Sequence, residues 1–600
     1  MKRLFIILLL LLPLANAKPW YYNSESTIVE SELSSRSTLV PLDLDYSIDY
    51  VLINMSFFPR DSYNQEVISM EITPDPGKVD DTLQFRWENP LSKDLTFKVG
   101  SKVKIENKVK PVYEKVSFPL KEIPEGLIRY TRPSMTIDSE NEAVVKLAND
   151  IAEGEDDQFV LVFKLAEWTK NNIAYDLSTL TAEITQNASW VLRTRSGVCD
   201  EITTLFIALN RALGIPAKFI SGISYTNALD VSSQWGPHGW AEVYFPGYGW
   251  IPFDVTYGEF GFIDPTHVKM KESVDGDEVS TKYQWLGKDV DLETRKLDMK
   301  TKLVSSSGRV SPLIDLSVEP VKKDIGFGSY NLIEVTVKNL KDYYVATELY
   351  LSRSKEIMLD GRERKQLVLK PNEEKKVYWI VKLSGSLMDN YVYKLPISVS
   401  SLRNVSAEAS FSSTRKDTYF DNNQILDVLS QLEEEEEKSY SKSVELECSS
   451  SERIYLYEED PKAVCLIRNS GNSYLEEVEV CLDDCETSDL GIGQQKKLTF
   501  PIDIEEPGKK ELKVTAENDQ VSKAAYLNIE MLDEPDIKID DIEYPEDIDF
   551  GESFTMGFTL KKESYSVPKN LIITLDQQGI IKGWEMNELN QDKPFIVNLP

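Results

Sequence analysis

Residues 196–216 read Ser-Gly-Val-Cys-Asp-Glu-Ile-Thr-Thr-Leu-Phe-Ile-Ala-Leu-Asn-Arg-Ala-Leu-Gly-Ile-Pro, and this stretch decides how the middle of the chain folds. Its apolar side chains recur at the spacing of one helical face, which predicts a helix buried along that face: Ile202, Leu205, Phe206, Leu209, Ala212 and Leu213. Gly214 and Pro216 are typical of the end of a helix. The pattern therefore predicts that Cys199 lies at the N-terminus of a buried helix.

That position gives Cys199 a chemical meaning. Unpaired backbone N–H groups and the positive end of the helix dipole favour a thiolate, and they can lower a thiol pKa below its ordinary value of about 8.5. Asp200 and Glu201 fall in the first turn, where negative charge complements the dipole. The same N–H groups can stabilise an oxyanion when the sulfur attacks a carbonyl carbon. The alternative interpretation is that Cys199 is a small buried apolar residue.

A thiol nucleophile needs a base, and the chain has only two histidines. His238 begins an alternating stretch, 238–245, that predicts a strand; Pro-Gly-Tyr-Gly at 246–249 predicts a turn, and a second strand leads to Asp254. A hairpin centred near residue 246 would place His238 opposite Asp254. The carboxylate could then hold the imidazole in the tautomer that catalysis needs.

A competing acid–base pair follows shortly afterwards. His267 lies three residues after Asp264, and either aspartate could serve a catalytic histidine. We favour Asp254 because it follows the predicted hairpin directly. Trp240 and Trp250 are expected to wall the cleft and fill the core rather than to take part in chemistry.

Four ordered blocks resemble the microbial transglutaminase-like domain family: Arg-Ser-Gly-Val-Cys (195–199), Arg-Ala-Leu-Gly-Ile-Pro-Ala (211–217), His-Gly-Trp-Ala-Glu-Val (238–243) and Gly-Trp-Ile-Pro-Phe-Asp (249–254). The helical lead-in, with Trp168 and the sequence Ile-Ala-Tyr-Asp at 173–176, is also similar. The resemblance covers about residues 140 to 275. Val255 stands where the family usually has proline, and Trp190 lies near the expected oxyanion side chain without that role being assigned.

The resemblance implies an α+β papain-like core and a catalytic triad. It implies Cys199 as nucleophile, His238 as general acid and base, and Asp254 as the group that orients the histidine. The expected activity is that of a transglutaminase-like cysteine acyltransferase or cysteine peptidase, acting on protein or peptide amides through a thioester. The alternative is a non-catalytic cell-surface binding or scaffold protein that uses the same fold.

The N-terminus predicts export. Lys2 and Arg3 precede an apolar run at 4–14 that is short against the ~20 residues of a membrane span, and Ala-Asn-Ala follows at 15–17. We predict a cleaved signal peptide over residues 1–17 and an extracellular or cell-surface location; an uncleaved anchor is the alternative.

The cysteines support the same location. Cys448, Cys465, Cys481 and Cys485 form a group that predicts two disulfides in an exported chain, whereas Cys199 stands apart. Three pairings are possible, and the simplest joins Cys448 to Cys465 and Cys481 to Cys485.

The remaining chain predicts several β-rich modules. Two short motifs repeat: Val-Thr-Val-Lys-Asn (335–339) resembles Cys-Leu-Ile-Arg-Asn (465–469), and Lys-Lys-Val-Tyr-Trp (375–379) resembles Lys-Lys-Leu-Thr-Phe (496–500). A third copy starts at 553 with Ser-Phe-Thr-Met-Gly-Phe, and the repeats suggest tandem immunoglobulin-like β-sandwiches after residue 308. We predict these ranges: signal peptide 1–17; β-rich N-terminal domain 18–125; transglutaminase-like catalytic domain 126–290; immunoglobulin-like sandwich 308–415; helical and acidic linker 416–442; immunoglobulin-like sandwich with two disulfides 443–532; and a partial sandwich 533–600. Because the last module looks unfinished, we expect the natural chain to continue past Pro600, with room for a membrane anchor.

Composition excludes some partners. Lys and Arg total 67 against 100 Asp and Glu, a formal net charge of -33, which disfavours nucleic acid and anionic lipid. No zinc-spaced cysteines, calcium-binding loop or phosphate-binding glycine motif occurs, so we expect neither cofactor nor metal. Asn-x-Ser sequons occur at Asn54, Asn187 and Asn404. The oligomeric state is not predicted.

Overall fold

The computed structural model describes residues 20–599 except 80, 180–184, 227–232, 433–437, 459, 550 and 578–579. The predicted signal peptide, 1–17, lies outside the described residues. The chain divides into two compact units, Met1–Ser439 and Tyr440–Pro600, which are taken separately below. No helix in the described ranges combines the length and the apolar character that crossing a bilayer requires.

The first unit begins with two packed antiparallel sheets. After a 3-10 helix at Trp20–Asn23, the strands are β1 Ser26–Pro41, β2 Ser47–Met55, β3 Gln65–Thr73, β4 Gly77–Val79, β5 Thr82–Glu88 and β6 Asp94–Glu106. Along β1 nearly every second side chain is buried, because successive residues of a strand point to opposite faces. The core between the sheets is apolar and includes Leu33, Ile53, Phe85 and Phe97.

The middle of the unit is an α+β domain. Its elements are 3-10 helices Glu125–Tyr130 and Leu177–Thr179, helices α1 Glu142–Ala152, α2 Gln158–Asn172, α3 Ala188–Thr194 and α4 Cys199–Ala212, and strands β7 Ala174–Tyr175, β8 Ser196–Gly197, β9 Ala217–Tyr225, β10 Trp235–Phe245, β11 Gly249–Asp254, β12 Glu259–Phe260 and β13 Val268–Ser273. The sheet order is β12-β11-β10-β9-β13. Helix α4 packs on β9 and β10 and is covered by the other three helices. The predicted helix that begins at Cys199 is confirmed.

Three strands that follow this domain return to the N-terminal sheets. They are β14 Thr281–Lys288, β15 Val290–Thr294 and β16 Asp298–Ser307. Strand β14 pairs with β2, and both β15 and β16 pair with β1. The α+β domain is therefore inserted between strands of the N-terminal β-domain. The sequence-based ranges 18–125 and 126–290 miss this return, because pairing between strands far apart in sequence leaves no local signal.

A β-sandwich completes the first unit. Its strands are β17 Ile314–Pro320, β18 Asp324–Ile325, β19 Tyr330–Asn339, β20 Val345–Arg353, β21 Ile357–Asp360, β22 Arg364–Leu369, β23 Glu374–Leu383, β24 Tyr393–Ser401 and β25 Ser406–Ser413. The two sheets run β17-β19-β23-β21 and β18-β25-β24-β20-β22. Trp379 is the largest fully buried side chain in the core between them.

The predicted linker 416–442 contains helix α5, Asn422–Leu432. Ile425 is fully buried against Leu332 and Tyr378 of the sandwich, so the helix packs on the sandwich instead of spanning a gap. The run of glutamates at 433–437 lies outside the described residues.

This sandwich also contacts the α+β domain directly. The Tyr344 hydroxyl donates to the Asp157 carboxylate at 2.5 Å, and Asp157 caps the N-terminus of α2. The Asn171 amide, near the end of α2, donates to Gln366 at 2.9 Å. The sandwich therefore packs against the α+β domain through hydrogen bonds at both ends of α2.

The second unit contains two β-modules. The first comprises β26 Val444–Ser449, β27 Arg453–Tyr455, β28 Lys462–Asn469, β29 Leu475–Cys481, β30 Cys485–Leu490, β31 Gln495–Pro501, β32 Gly508–Glu517 and β33 Ser522–Leu532; the second comprises β34 Ile537–Glu543, β35 Phe554–Lys562, β36 Lys569–Gln577, β37 Ile580–Glu588 and β38 Lys593–Leu599. Disulfides join Cys448 to Cys465 and Cys481 to Cys485, which confirms the predicted pairing.

The repeated motifs occupy equivalent strands. The motif at 335–339 ends β19 and that at 465–469 ends β28, and each strand lies between the same two neighbours of its sheet. The second motif, at 375–379 and 496–500, falls in β23 and β31, which pair with those strands. The third copy starts at Ser553, one residue before β35, and continues within that strand.

Candidate active site

Helix α4 begins at Cys199 because a side chain in the first turn of the helix hydrogen-bonds to the residue just before it. The Glu201 carboxylate accepts a hydrogen bond from the Val198 backbone N–H at 2.9 Å, which satisfies one donor that the helix cannot. Gly197 allows the close approach: a Cβ there would lie 2.8 Å from the Cβ of Glu201. The sulfur is thus held at the partly exposed start of a helix whose body is buried.

Two hydrogen bonds join the start of α4 to β10. The Gly239 backbone N–H donates to the sulfur of Cys199, and the Thr203 hydroxyl donates to the Gly239 carbonyl at 3.1 Å. A side chain at 239 would collide with Asp200 and Phe219. Because His238 precedes Gly239, the contact places the sulfur beside the backbone of the predicted base.

The protonation of Cys199 differs from the sequence-based prediction. The side chain keeps partial exposure to solvent, yet burial and the Asp200 carboxylate, 3.5 Å from the sulfur, raise the pKa of the thiol well above its ordinary value. The Gly239 N–H acts in the opposite direction but is outweighed. The predicted lowering of this pKa is therefore wrong. The helix terminus is present, but Asp200 places a second negative charge where the thiolate would form.

His238 and Asp254 meet as predicted. His238 Nε2 lies 2.6 Å from Asp254 Oδ2, and the Tyr257 backbone N–H donates to Oδ1 at 2.9 Å. Asp254 is fully buried; burial raises its pKa, but the charge of His238 and hydrogen bonds from His238 and His267 outweigh this, so the pKa lies far below its ordinary value. The contact occupies Nε2, which leaves Nδ1 as the ring nitrogen that can exchange a proton with the sulfur.

The hairpin register differs by one position from the prediction. Phe245 pairs with Gly249 and Ala241 with Phe253, so the turn is centred at residue 247 rather than 246. Asp254 is then level with residue 240, and it reaches His238 diagonally along the same face of the sheet. Both Gly247 and Gly249 have φ near 80°, a conformation that favours glycine, and together they set this register.

Aromatic rings enclose His238. The Tyr257 ring stacks on the imidazole with centroids 4.7 Å apart, and Trp240 lies on another side at 6.1 Å. Trp240 is fully buried, and Trp250 packs against Tyr244. Trp240 therefore fills the core beside His238, as predicted, whereas Trp250 is only partly buried.

The competing pair turns out to be continuous with the favoured pair. His267 Nε2 lies 3.0 Å from Asp254 Oδ2, and Nδ1 lies 3.4 Å from Asp264 Oδ1. His267 and Asp264 are both buried. The sequence identified all four residues, but it treated as alternatives two pairs that the fold joins through one carboxylate.

Side chains that could bind a metal ion cluster around His267. Among the described residues outside the disulfides, two sets of donor atoms lie close enough to share an ion: His238, Asp254 and His267, and Glu259, Asp264 and His267. Hydrogen bonds among them already occupy both His267 nitrogens and Asp254, so we assign no metal.

Trp190, which lies near the expected position of an oxyanion side chain in the sequence, is partly exposed on α3. Its backbone N–H donates to the Asn187 side chain.

A cavity of about 870 Å³ lies behind the aromatic wall, where the α+β domain meets the sandwich. Tyr257, Glu259 and Asp264 line it from one side and Tyr350 and Arg403 from the other. The lining described by the structure does not include Cys199. Tyr257 thus separates this cavity from His238.

Comparison with known protein families finds a match in the middle of the chain. Residues 145–255 match the family model described as the Transglutaminase-like superfamily. A Bacillus subtilis (strain 168) protein named "Uncharacterized protein YebA" is 27% identical over 152 residues, which are 23% of this chain and 20% of that relative's length. The match thus spans about a fifth of the curated relative.

Two solved structures are also similar. One, from Cytophaga hutchinsonii and provisionally described as a cysteine protease, is 18% identical and covers 48% of this chain and 93% of its own, with a TM-score of 0.36. The other, a red sea bream transglutaminase, is 10% identical and covers 82% of this chain and 94% of its own, with a TM-score of 0.19.

Proposed function

Since the chain contains a transglutaminase-like domain, we propose that it is an exported thiol enzyme that acts on protein or peptide amides through a thioester on Cys199. The observation that carries the proposal is the pair of contacts around His238. Asp254 lies 2.6 Å from Nε2 of His238, and Gly239, which follows His238 in the chain, donates its N–H to the sulfur of Cys199.

The chemistry begins from a neutral thiol. As the sulfur attacks the amide carbonyl, its proton passes to Nδ1 of His238, and the carbonyl oxygen becomes an oxyanion near the free N–H groups at the start of α4. His238 then returns the proton to the leaving amine, and a thioester remains. Water or a second amine takes the acyl group, which regenerates Cys199. Asp254 stabilises the imidazolium that forms in each half-reaction.

Activity on peptide amides tests this proposal. Purified protein is incubated with glutamine-containing and unmodified peptides, with and without a primary amine, and the products are read by mass spectrometry. Hydrolysis or amine incorporation is expected, and Cys199→Ala should abolish it. His238→Ala should lower the rate by about 10²-fold or more, because proton transfer contributes 10²–10⁴-fold. Glu142→Gln, in the first turn of α1, is the control.

The non-catalytic alternative is favoured by one observation, the raised pKa of Cys199. Slow alkylation by iodoacetamide at mildly acidic pH is now expected for both hypotheses, so it cannot separate them. A peptide bearing an electrophilic carbonyl does separate them, because its capture needs the binding cleft and His238 as well as the thiol. Capture by wild type but not by His238→Ala supports the enzyme, and equal slow reaction of both supports the scaffold.

The proposal places the protein outside the cytoplasm or at the cell surface. The two disulfides in the second unit support it, since such bonds persist in oxidising compartments. We further propose that the sandwiches at 308–415 and 443–532 are immunoglobulin-like, which their two-sheet arrangement supports. Detection of both disulfides in protein isolated from the cell envelope or medium, with the chain starting after residue 17, tests the location.

A further inference from the structure

We propose that His267 is a positioning residue of the Cys199 site. Held as an imidazolium between Asp254 and Asp264, it fixes the Asp254 carboxylate and offsets part of the negative charge that His238 faces. This inference rests on the function proposed above, because a positioning residue has a role only if the Cys199 site is catalytic. The contacts of His267 themselves do not depend on any activity.

The two contacts of His267 require both ring hydrogens. Each ring nitrogen faces a carboxylate oxygen, Asp254 Oδ2 at 3.0 Å and Asp264 Oδ1 at 3.4 Å. A neutral imidazole carries only one N–H and would place a lone pair against the second carboxylate. Because His267 is 1% exposed, water cannot relieve that repulsion. The buried arrangement is therefore satisfied by the doubly protonated ring.

His267 in turn has a rigid support. Asp264 Oδ1 accepts hydrogen bonds from both the backbone N–H and the hydroxyl of Thr266, each at 2.6 Å. The Asp264 backbone N–H donates to Glu259 at 2.8 Å. Asp254 thereby receives His238 and His267 on one oxygen and the Tyr257 N–H on the other, so its orientation is fixed from three directions.

The charges around His267 agree with this assignment. Burial lowers the pKa of His267, but Asp264 and the hydrogen bond to Asp254 outweigh burial, so the pKa lies well above its ordinary value. Burial and Asp264 raise the pKa of Glu259 well above its ordinary value, which favours the neutral form of that carboxyl. Within the described chain, the titratable and charged groups that interact with this cluster or with His238 are Asp254, Asp264, Glu259, His238, Tyr257, Tyr22, Lys170, Arg403, Cys199, Asp200 and Tyr175.

The consequence for His238 is electrostatic. The two imidazole centroids are 5.5 Å apart, so a positive charge on His267 opposes protonation of His238. His267→Gln removes that charge and leaves two buried carboxylates. It should therefore make His238 easier to protonate, and the acid limb of the pH–rate profile should move to higher pH.

Histidine NMR tests the proposal directly, because the chain has only two histidines. The full-length protein is labelled with ring-¹³C histidine and titrated from pH 5 to pH 9, as wild type, His267→Gln and His267→Gln/Asp264→Asn. The double variant removes one positive and one negative charge, so it keeps the net charge of the cluster and serves as the matched control.

We expect one wild-type signal, that of His267, to keep its imidazolium shift at least to pH 8. In His267→Gln the His238 midpoint should move up by about two pH units, as expected for a charge at this distance in a protein interior. The double variant should return the midpoint toward the wild-type value. A His267 signal that is neutral at pH 7, or a His238 midpoint that is the same in all three proteins, overturns the proposal.

Kinetics supply the second readout. The acid limb of kcat/KM should move with the NMR midpoint, whereas a merely structural role would lower the rate without moving the limb. If His267→Gln does not fold, the wild-type titration and the double variant still decide the charge state. Absence of turnover in wild type would contradict the proposed function and leave the NMR result standing, so the two failures are distinguishable.

Discussion

At Cys199 two local effects oppose each other. The start of a helix favours a negative charge by about 0.3–1 kcal/mol in exposed settings and by up to ~2 kcal/mol when partly buried. Burial disfavours the thiolate, and Asp200, 3.5 Å from the sulfur, repels it. The pKa of Cys199 is raised because burial and the Asp200 charge together outweigh what favours the thiolate. Asp200 thus keeps the resting thiol protonated.

Removing the Asp200 carboxylate should therefore activate the thiol. In Asp200→Asn we expect the alkylation of Cys199 by iodoacetamide at pH 7 to speed up roughly tenfold, because a like charge no longer opposes the thiolate. Cys199 is the free cysteine of the described chain, so intact mass reports its modification. Glu142→Gln, which removes an acidic residue from another helix start, should leave the rate unchanged. An equal rate in Asp200→Asn and wild type would contradict the assignment.

The imidazolium of His267 also predicts how stability depends on pH. Its folded-state pKa is raised, so its contribution is fully present below the unfolded value of about 6.5 and is lost as pH rises through the folded-state pKa. The melting temperature of wild type should exceed that of His267→Gln/Asp264→Asn by a constant margin between pH 5 and 6.5. That margin should shrink at alkaline pH. Scanning calorimetry from pH 5 to pH 10 measures it, and a margin that widens with pH would refute the charge assignment.

At the scale of elements, the sequence predicts those features that a local pattern of residues determines. The start of α4 and the hairpin β10–β11 follow from helical spacing and from the Pro-Gly-Tyr-Gly turn at 246–249. The register was missed by one position because two glycines with positive φ, rather than the turn composition, set it. The link from Asp254 to His267 could not be predicted, since residues 255–266 connect the two positions without a regular pattern.

The repeated motifs also carry a structural reason for their final asparagine. The Asn469 amide donates to the carbonyls of Ser473 and Leu490 at 2.8 and 3.0 Å, and its oxygen accepts from the Gly471 N–H at 3.0 Å. The chain leaving β28 is thereby tied back to its own strand. Asn469 is fully buried, so water cannot replace these bonds.

Asn339 repeats this arrangement in the first unit. Its amide donates to the carbonyls of Tyr343 and Lys370, both at 2.8 Å, and its oxygen accepts from the Lys341 N–H at 2.9 Å. The spacing to the first carbonyl and to the N–H is the same in both copies. The bonds of Asn339 are partly buried, whereas the two donated by Asn469 are buried.

Replacing either asparagine should therefore loosen its module, and Asn469 should matter more. We expect Asn469→Ala to lower the local free energy of unfolding by about 2–4 kcal/mol, since it removes the donor to two backbone carbonyls and leaves the Gly471 N–H only its contact with the Ser443 carbonyl, and Asn339→Ala by somewhat less. Hydrogen exchange of peptides from β28 and β19, read by mass spectrometry on the full chain, measures each change. Thr487→Ala, at an exposed position of the same module as Asn469, is the control. An unchanged exchange rate in β28 would contradict this role.

At the scale of the whole first unit, the main departure from the sequence-based domain boundaries is the insertion of the α+β domain. Strand β1 pairs with β6, close in sequence, and with β15 and β16, more than 240 residues later. The alternating pattern of β14–β16 identifies strands, but it does not contain the identity of their partners. Proximity in sequence favours pairing with neighbours, which is why the boundary at 290 falls inside a sheet.

The insertion predicts that a fragment ending at the sequence-based boundary will not be stable. A fragment of residues 18–290 lacks β16 and nearly all of β15, so β1 would expose its free edge over residues 26–41. Leu292 and Leu303 would also leave the core of the N-terminal sheets. A strand of 16 residues with one free edge is a template for aggregation. A fragment of residues 18–310 restores both strands and lacks the same sandwich, so it is the matched control.

We expect the 18–290 fragment to elute as aggregates on size exclusion and to bind a hydrophobic dye, and the 18–310 fragment to elute as a compact species. Equal melting temperatures for the two fragments would mean that β15 and β16 are dispensable, and the inserted arrangement would then not be what holds the N-terminal sheets together.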